Sequence, residues 1–303
     1  MCRLAAYLGH PILLSQIITE PRHSIIHQSY HAEERTVPLN GDGFGVAWYV
    51  PHVSERPALF KDVAPAWNSQ NLLEIARVSS SHCVLAHVRA ASPGNPVQQL
   101  NCHPFAHGRL SFMHNGGLAG FDAYRRRLLE GLSDTAFRAI RGSTDTEHAF
   151  AVFIDYQVRG VRTSVVADLA DAMQDTLDHL EDLRISAGVA EPSYYNFVVS
   201  DGTCLVATRH GSPGGGDPAS LYYTTGRDMH LENGHYQLDS DLDHNVVLVA
   251  SERLNADPSW QPVPPGHMLL ATHPGRVTLR PIRPYPAVPD PSPDPSGLLL
   301  PRR

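Results

Sequence analysis

Apolar positions fall into two periods along the chain. A short apolar stretch at 2–8 and an aromatic and β-branched one at 43–50 (Gly-Phe-Gly-Val-Ala-Trp-Tyr-Val) predict buried strands. Two more, 83–88 and 109–114, each run into a polar or glycine-rich segment and predict strands that deliver side chains to a rim. Between the first two strands, Pro11 to Ile18 suits a short helix with Pro in its first turn, and 23–30 suits another. The segment 68–79 reads as a helix that Asn68 or Ser69 can cap. Apolar residues at helical spacing, such as Phe150, Phe153, Ile154 and Val158, predict helices near 121–131, 146–158 and 165–185. Strands return at 195–200, 203–208, 221–225 and 246–251, some joined by short turns such as Ser200 to Thr203.

Strands and helices in blocks, rather than in regular alternation, predict a layered α+β domain. The expected unit is one domain over 2–283. Gly211 to Pro218 reads as a surface loop, and 284–303, rich in proline, as an extended, disordered tail.

Charge narrows the partners. With 31 acidic residues against 24 Lys and Arg, net charge −7 and pI near 6.2, no large basic footprint for nucleic acid is expected. Arg125-Arg126-Arg127 reads as the solvated face of a helix. No apolar run approaches the roughly 20 residues of a membrane span. The first residues lack the pattern of a secretory signal, so the expected location is the cytoplasm, with Cys2, Cys83, Cys102 and Cys204 reduced. His82, Cys83, His87, Cys102 and His103 are the densest group of potential metal ligands. They contain no C-x-x-C pair and no H-E-x-x-H helix, and no metal site is expected.

Four segments carry chemistry. Removal of Met1 leaves Cys2 with a free α-amine, and an amine with a reference pKa near ~8 takes a thiol proton without a histidine partner. Arg89, at the end of the 83–88 strand, offers a planar fork to a carboxylate, and Ser92 adds a hydroxyl donor. His114-Asn115-Gly116-Gly117 puts a side-chain amide beside glycine N–H groups, the donor set of an oxyanion hole; an Asn-Gly turn is the plain alternative. Asp145, in Gly142-Ser143-Thr144-Asp145-Thr146-Glu147, either caps the helix at 146–158 or receives a substrate ammonium. A nucleophile with its own base, a carboxylate clamp, oxyanion donors and an ammonium acceptor together describe a site for glutamine or another γ-glutamyl amide.

These motifs, together with Asn40-Gly41-Asp42-Gly43-Phe44-Gly45-Val46-Ala47-Trp48-Tyr49, His87-Val88-Arg89 and Asn101-Cys102-His103-Pro104-Phe105, resemble a class II glutamine amidotransferase. The likeness runs in order from Met1 to about Arg253, and within the family it is most similar to the stand-alone γ-glutamyl hydrolases. The resemblance implies a four-layer α/β/β/α sandwich. It implies Cys2 as nucleophile, Asn115 and Gly116 as the oxyanion hole, and Arg89, Ser92, His114 and Asp145 around the substrate. No cofactor is implied. Synthase-fused relatives commonly carry Arg-Trp-Ala-Thr-His-Gly where this chain has Arg89-Ala90-Ala91-Ser92-Pro93-Gly94. With no second catalytic domain expected after about residue 280, plain hydrolysis through a γ-glutamyl thioester is the expected reaction. Two rivals are a glutaminase subunit feeding ammonia to a separate synthase, and a non-catalytic γ-glutamyl binding protein that retains Met1. A homo-oligomer or a synthase partner is compatible with either enzyme reading.

Overall fold

In the computed structural model, residues 2–34, 39–92, 94–159, 164–226, 229–232, 235–238 and 245–285 are described. In chain order the first half holds β1 (Arg3–Leu13), α1 (Ser15–Ile18), α2 (Ile25–Tyr30), β2 (Phe44–Val50), β3 (Ser54–Asp62), α3 (Gln70–Val78), β4 (Ser80–Val88), β5 (Phe105–His107) and β6 (Leu110–Gly117). Four helices follow: α4 (Phe121–Gly131), α5 (Asp134–Ala139), α6 (Asp145–Arg159) and α7 (Val165–Ser186). The chain then returns to strands: β7 (Tyr194–Ser200), β8 (Cys204–Arg209), β9 (Tyr222–Gly226), the hairpin β10 (Met229–Glu232) and β11 (His235–Leu238), β12 (Val246–Ala250), β13 (Gln261–Pro262), β14 (His267–Thr272) and β15 (Arg276–Pro281).

Two antiparallel sheets carry the fold. One has the order β13-β9-β12-β1-β4-β2-β3, with β1 in its middle, and the other β15-β14-β8-β7-β6-β5. Alternation along β1 explains the layering. Leu4, Ala6 and Leu8 pack with Met113, Val198, Leu205 and Leu269 between the sheets. Ala5 and Tyr7 face the other way, onto Ile17, Ile25, Leu72 and Ala76 of α1, α2 and α3. On the far side of the second sheet, Phe112, Phe197 and Val206 pack on Phe150, Phe153, Met173 and Leu177 of α6 and α7. The result is the expected α/β/β/α sandwich, with three apolar layers.

Local structure departs from the sequence pattern in places. Pro11 and Ile12 lie in β1 rather than in a helix, because Ile12 and Leu13 resume pairing with Ser81 and Ser80 after an irregularity; only Ser15–Ile18 is helical. Ser69, not Asn68, caps α3, its hydroxyl accepting the N–H of Leu72. The segment Asn115-Gly116-Gly117 is no turn: β6 continues through it, pairing with Asn196, Tyr195 and Tyr194 of β7. β3 carries little apolar signal because it is an edge strand with Pro57 and several exposed positions. Arg283, at the end of the expected domain, pairs with Asp178 on α7 at 2.6 Å, and the first residues of the expected tail stay in contact there, the Tyr285 hydroxyl meeting Asp182. Residues 286–303 of the expected tail lie outside the described residues, as do Met1, 35–38 and Pro93.

Candidate active site

Cys2 sits immediately before β1, at the end of the central strand of the first sheet. Its thiol is half-buried and lies 3.6 Å from the carbonyl oxygen of Ala90. The other three cysteines are buried. Burial pushes the Cys83 thiol up to about 12, and raises Cys102 and Cys204 as well, so none of them supplies thiolate readily.

A cleft of 210 Å³ brings Cys2 together with Arg89, Ser92, His103, Gly116 and Asp145. Larger cavities of 520 and 620 Å³ contain none of these residues. Arg89 is 3% exposed, and among the described residues its guanidinium meets only carbonyl oxygens, of Asp42 at 3.5 Å and Pro96 at 3.4 Å. It forms no ion pair with a carboxylate among the described residues. A buried guanidinium so placed favours an incoming anion. Its strand end is fixed from the Asn40–Phe44 segment: the Asp42 N–H donates to the Arg89 carbonyl, the Arg89 N–H to the Gly43 carbonyl, and the Ala91 N–H to the Asp42 carboxylate at 2.8 Å.

Asp145 opens α6 but is not its cap. The Thr144 hydroxyl accepts the N–H of Glu147, while the Asp145 carboxylate accepts the N–H of Leu118 at 2.9 Å and of Thr146 at 2.8 Å. It thereby ties the start of α6 to the end of β6. Glu147 accepts the N–H groups of Arg141 and Gly142, and Asn101 joins Ser143 to Pro96, so the loops either side of the cleft are pinned to one another.

Gly116 lines the cleft, and a Cβ there would stand 2.1 Å from the Tyr194 carbonyl oxygen, so the register of β6 against β7 demands glycine. Asn115 faces the interior between the sheets. Its amide nitrogen lies 3.3 Å from the Ser251 hydroxyl, which also accepts the N–H of Leu4 at 3.1 Å; its side-chain oxygen is buried with no hydrogen-bond partner among the described residues. Ser251 therefore links the strand of the nucleophile to the strand of the amide. His114 has both ring nitrogens engaged, with the Thr146 hydroxyl at 3.0 Å and the Tyr194 carbonyl at 2.8 Å. Ser92 is exposed at the cleft mouth. His103, Asn95 and Thr146 also line the cleft; His103 and Thr146 belong to motifs visible in the sequence, Asn101 to Phe105 and Gly142 to Glu147, and Asn95 does not.

Behind Cys2, Arg3 donates to the Cys2 carbonyl at 2.8 Å and pairs with Glu252 at 2.5 Å, both side chains being buried. Burial alone would raise the Glu252 carboxyl; His23, the Arg3 charge and the main-chain N–H groups of Glu33 and Glu34 outweigh it and hold the pKa at about 2. A depressed carboxyl stabilises the fold above its unfolded pKa, near 4.5, and that contribution fades as pH falls towards 2. Glu252→Ala is expected to destabilise by about 3–5 kcal/mol at neutral pH, since it strands the buried Arg3 charge. In thermal melts the gap from wild type should narrow between pH 4.5 and 2; a constant gap would contradict this account.

The sequence matches the model of the class II glutamine amidotransferases over residues 13–290. The chain belongs to the class II glutamine amidotransferases. As such it is an enzyme of the amidohydrolase kind. Two relatives illustrate its place in the family. It is 39% identical to the probable glutamine amidotransferase DUG3 of Saccharomyces cerevisiae, over 89% of this chain and 81% of that protein. It is 26% identical to the γ-glutamyl-hercynylcysteine sulfoxide hydrolase of Mycobacterium tuberculosis, over 92% and 96%. Among solved structures, a glutamine aminotransferase class-II domain protein from Silicibacter pomeroyi superposes with TM-score 0.66 at 27% identity, covering 93% of this amidotransferase and 100% of that chain. The fold is shared with the glutamine phosphoribosylpyrophosphate amidotransferase of B. subtilis, at TM-score 0.58 and 17% identity, over 93% of this chain and 49% of the other. Among the described residues of the amidotransferase, no helix is long and apolar enough to cross a membrane.

Proposed function

We propose that this amidotransferase hydrolyses a γ-glutamyl amide through a γ-glutamyl thioester on Cys2, within a catalytic unit spanning 2–283. The observation that carries the reading is the cleft itself: the half-buried thiol of Cys2 shares it with the buried guanidinium of Arg89, Gly116 and the carboxylate of Asp145. Arg89 anchors the substrate α-carboxylate, Asp145 receives its α-ammonium, and Ser92 adds a hydroxyl at the mouth. Once Met1 is removed, the α-amine of Cys2 takes the thiol proton as sulfur attacks the γ-carbonyl, then returns it to the leaving amine. The N–H of Gly116 and the amide of Asn115 stabilise the tetrahedral oxyanion. Water next attacks the thioester, glutamate leaves, and the thiol is restored. His114 lines the cleft as well, and with both ring nitrogens engaged by Thr146 and Tyr194 it also holds β6 against α6 and β7.

A volume of 210 Å³ is below the roughly 300–1,000 Å³ of pockets that enclose a drug-sized ligand, so the cleft takes the γ-glutamyl head and leaves the rest of the substrate at its mouth. The names of the relatives support the same substrate class, and Ala90-Ala91 in place of the Trp-Ala of synthase-fused enzymes supports water as acceptor. The test is glutamate release from a panel of L-glutamine, glutathione and γ-glutamyl sulfur-containing histidine derivatives. Preference for a γ-glutamyl compound over glutamine by at least about tenfold in kcat/KM is expected, which corresponds to about 1.4 kcal/mol of transition-state discrimination. Turnover of glutamine alone, stimulated by a copurifying synthase, would replace hydrolysis with ammonia supply, and silence in a sample lacking Met1 would overturn the reading.

A further inference from the structure

His103 reaches the cleft beside Cys2 and Arg89. Its ring is held from behind: Nδ1 lies 3.3 Å from the main-chain nitrogen of His114 and 3.0 Å from Nε2 of His87. That same Nε2 of His87 is 3.1 Å from the His114 carbonyl oxygen. A carbonyl only accepts, so His87 carries its proton on Nε2, and its buried Nδ1, which has no partner among the described residues, carries the lone pair. The main-chain N–H of His114 donates to Nδ1 of His103, and the single Nε2–H of His87, shared with the His114 carbonyl, faces the same nitrogen, so Nδ1 accepts and cannot bear a proton itself. The proton of His103 is on Nε2. Among the described residues Nε2 has no hydrogen-bond partner, and it is not one of the buried unpartnered atoms, so it opens into the cleft. Burial, and then the neighbouring His87 and His114, hold the His103 pKa well below its ordinary value, which keeps the ring neutral.

The cleft wall thus presents a fixed neutral N–H on the same cleft as a guanidinium that has no carboxylate partner among the described residues. Both groups donate, and a ligand atom that satisfies both is an anionic oxygen. We propose that His103 is a substrate-contact residue, its Nε2–H donating to the α-carboxylate of the bound γ-glutamyl group alongside Arg89. This rests on the reading of Arg89 as the carboxylate anchor. It differs from general acid–base catalysis, because the imidazole is locked in one tautomer and gives up no proton. The contact acts in ground state and transition state alike, so its loss raises KM and spares kcat.

The experiment compares wild type, His103→Leu and His103→Gln on the γ-glutamyl amide that wild type turns over best and on the matched 4-aminobutanoyl amide, which lacks only the α-carboxylate. Gln is chosen because its terminal N–H₂ reaches the place of the imidazole Nε2. His103→Leu is expected to raise KM for the γ-glutamyl amide at least about tenfold, the scale of a hydrogen bond to a charged group, with kcat within about threefold. His103→Gln restores most of the loss, and the 4-aminobutanoyl amide is insensitive to either change. An unchanged KM in the Leu variant, or equal losses on both amides, would overturn the assignment while leaving the Cys2 reading intact. Failure of Gln to restore KM, in a variant that melts with wild type, would overturn it too. Wild-type silence on every γ-glutamyl amide would sink both.

Discussion

Cys2→Ala should lower glutamate release by at least ~10⁴-fold, the scale of removing a nucleophile from a site whose other groups remain. The thermal midpoint should stay close to that of wild type, because the change removes one sulfur atom from a half-buried position at the start of β1. Changes at such positions usually fall within about 1 kcal/mol. The pairing that holds β1, to β4 and β12 on either side, does not involve the Cys2 side chain. No other cysteine can substitute, since Cys83, Cys102 and Cys204 are buried with raised pKa values. Steady-state rates and a thermal melt on the same preparation decide the point. Residual turnover above a few per cent, in protein freed of wild type, would remove Cys2 from the mechanism.

Asn115→Ala should lower kcat by about 10²–10³ while KM moves less than about threefold, because its amide acts on an oxygen that becomes negative only in the transition state. The fold should tolerate the loss. The side-chain oxygen has no partner among the described residues to forfeit, and the Ser251 hydroxyl keeps its bond from the Leu4 N–H. A purely structural role would instead raise KM along with lowering kcat, since β6 also carries Gly116 and abuts Asp145 through Leu118. Kinetics with full saturation curves separate the two. An Asn115→Ala enzyme with unchanged kcat would leave Gly116 as the sole oxyanion donor.

Much of the fold was legible in the sequence. The central strand, the paired strands at 83–88 and 195–208 and the long helices α6 and α7 announce themselves because each buries a continuous face. Layer order is not written in any single segment; it came from the family likeness, and the packing of β1 on both faces bears it out. The edge strand β3 and the closing pair β14 and β15 were hidden, the first by exposure and Pro57, the second by a short length flanked with prolines. Candidate site residues were visible as types at spacings. Their roles as joints were not. That Ser251 links Asn115 to β1 is a consequence of strands more than 100 residues apart meeting, and that Asp145 holds the Leu118 N–H and His103 is fixed in one tautomer are consequences of how nearer segments fold onto one another; a linear pattern carries no trace of either.

The most direct test of the central claim is the intact mass and peptide map of enzyme quenched in acid during turnover. Acid keeps the α-amine protonated, so a γ-glutamyl group on sulfur does not migrate to nitrogen. The account predicts a peptide beginning at Cys2, without Met1, carrying the mass of one γ-glutamyl group that hydroxylamine removes. Turnover at full rate with Met1 in place, or with the adduct on any residue other than Cys2, would contradict it.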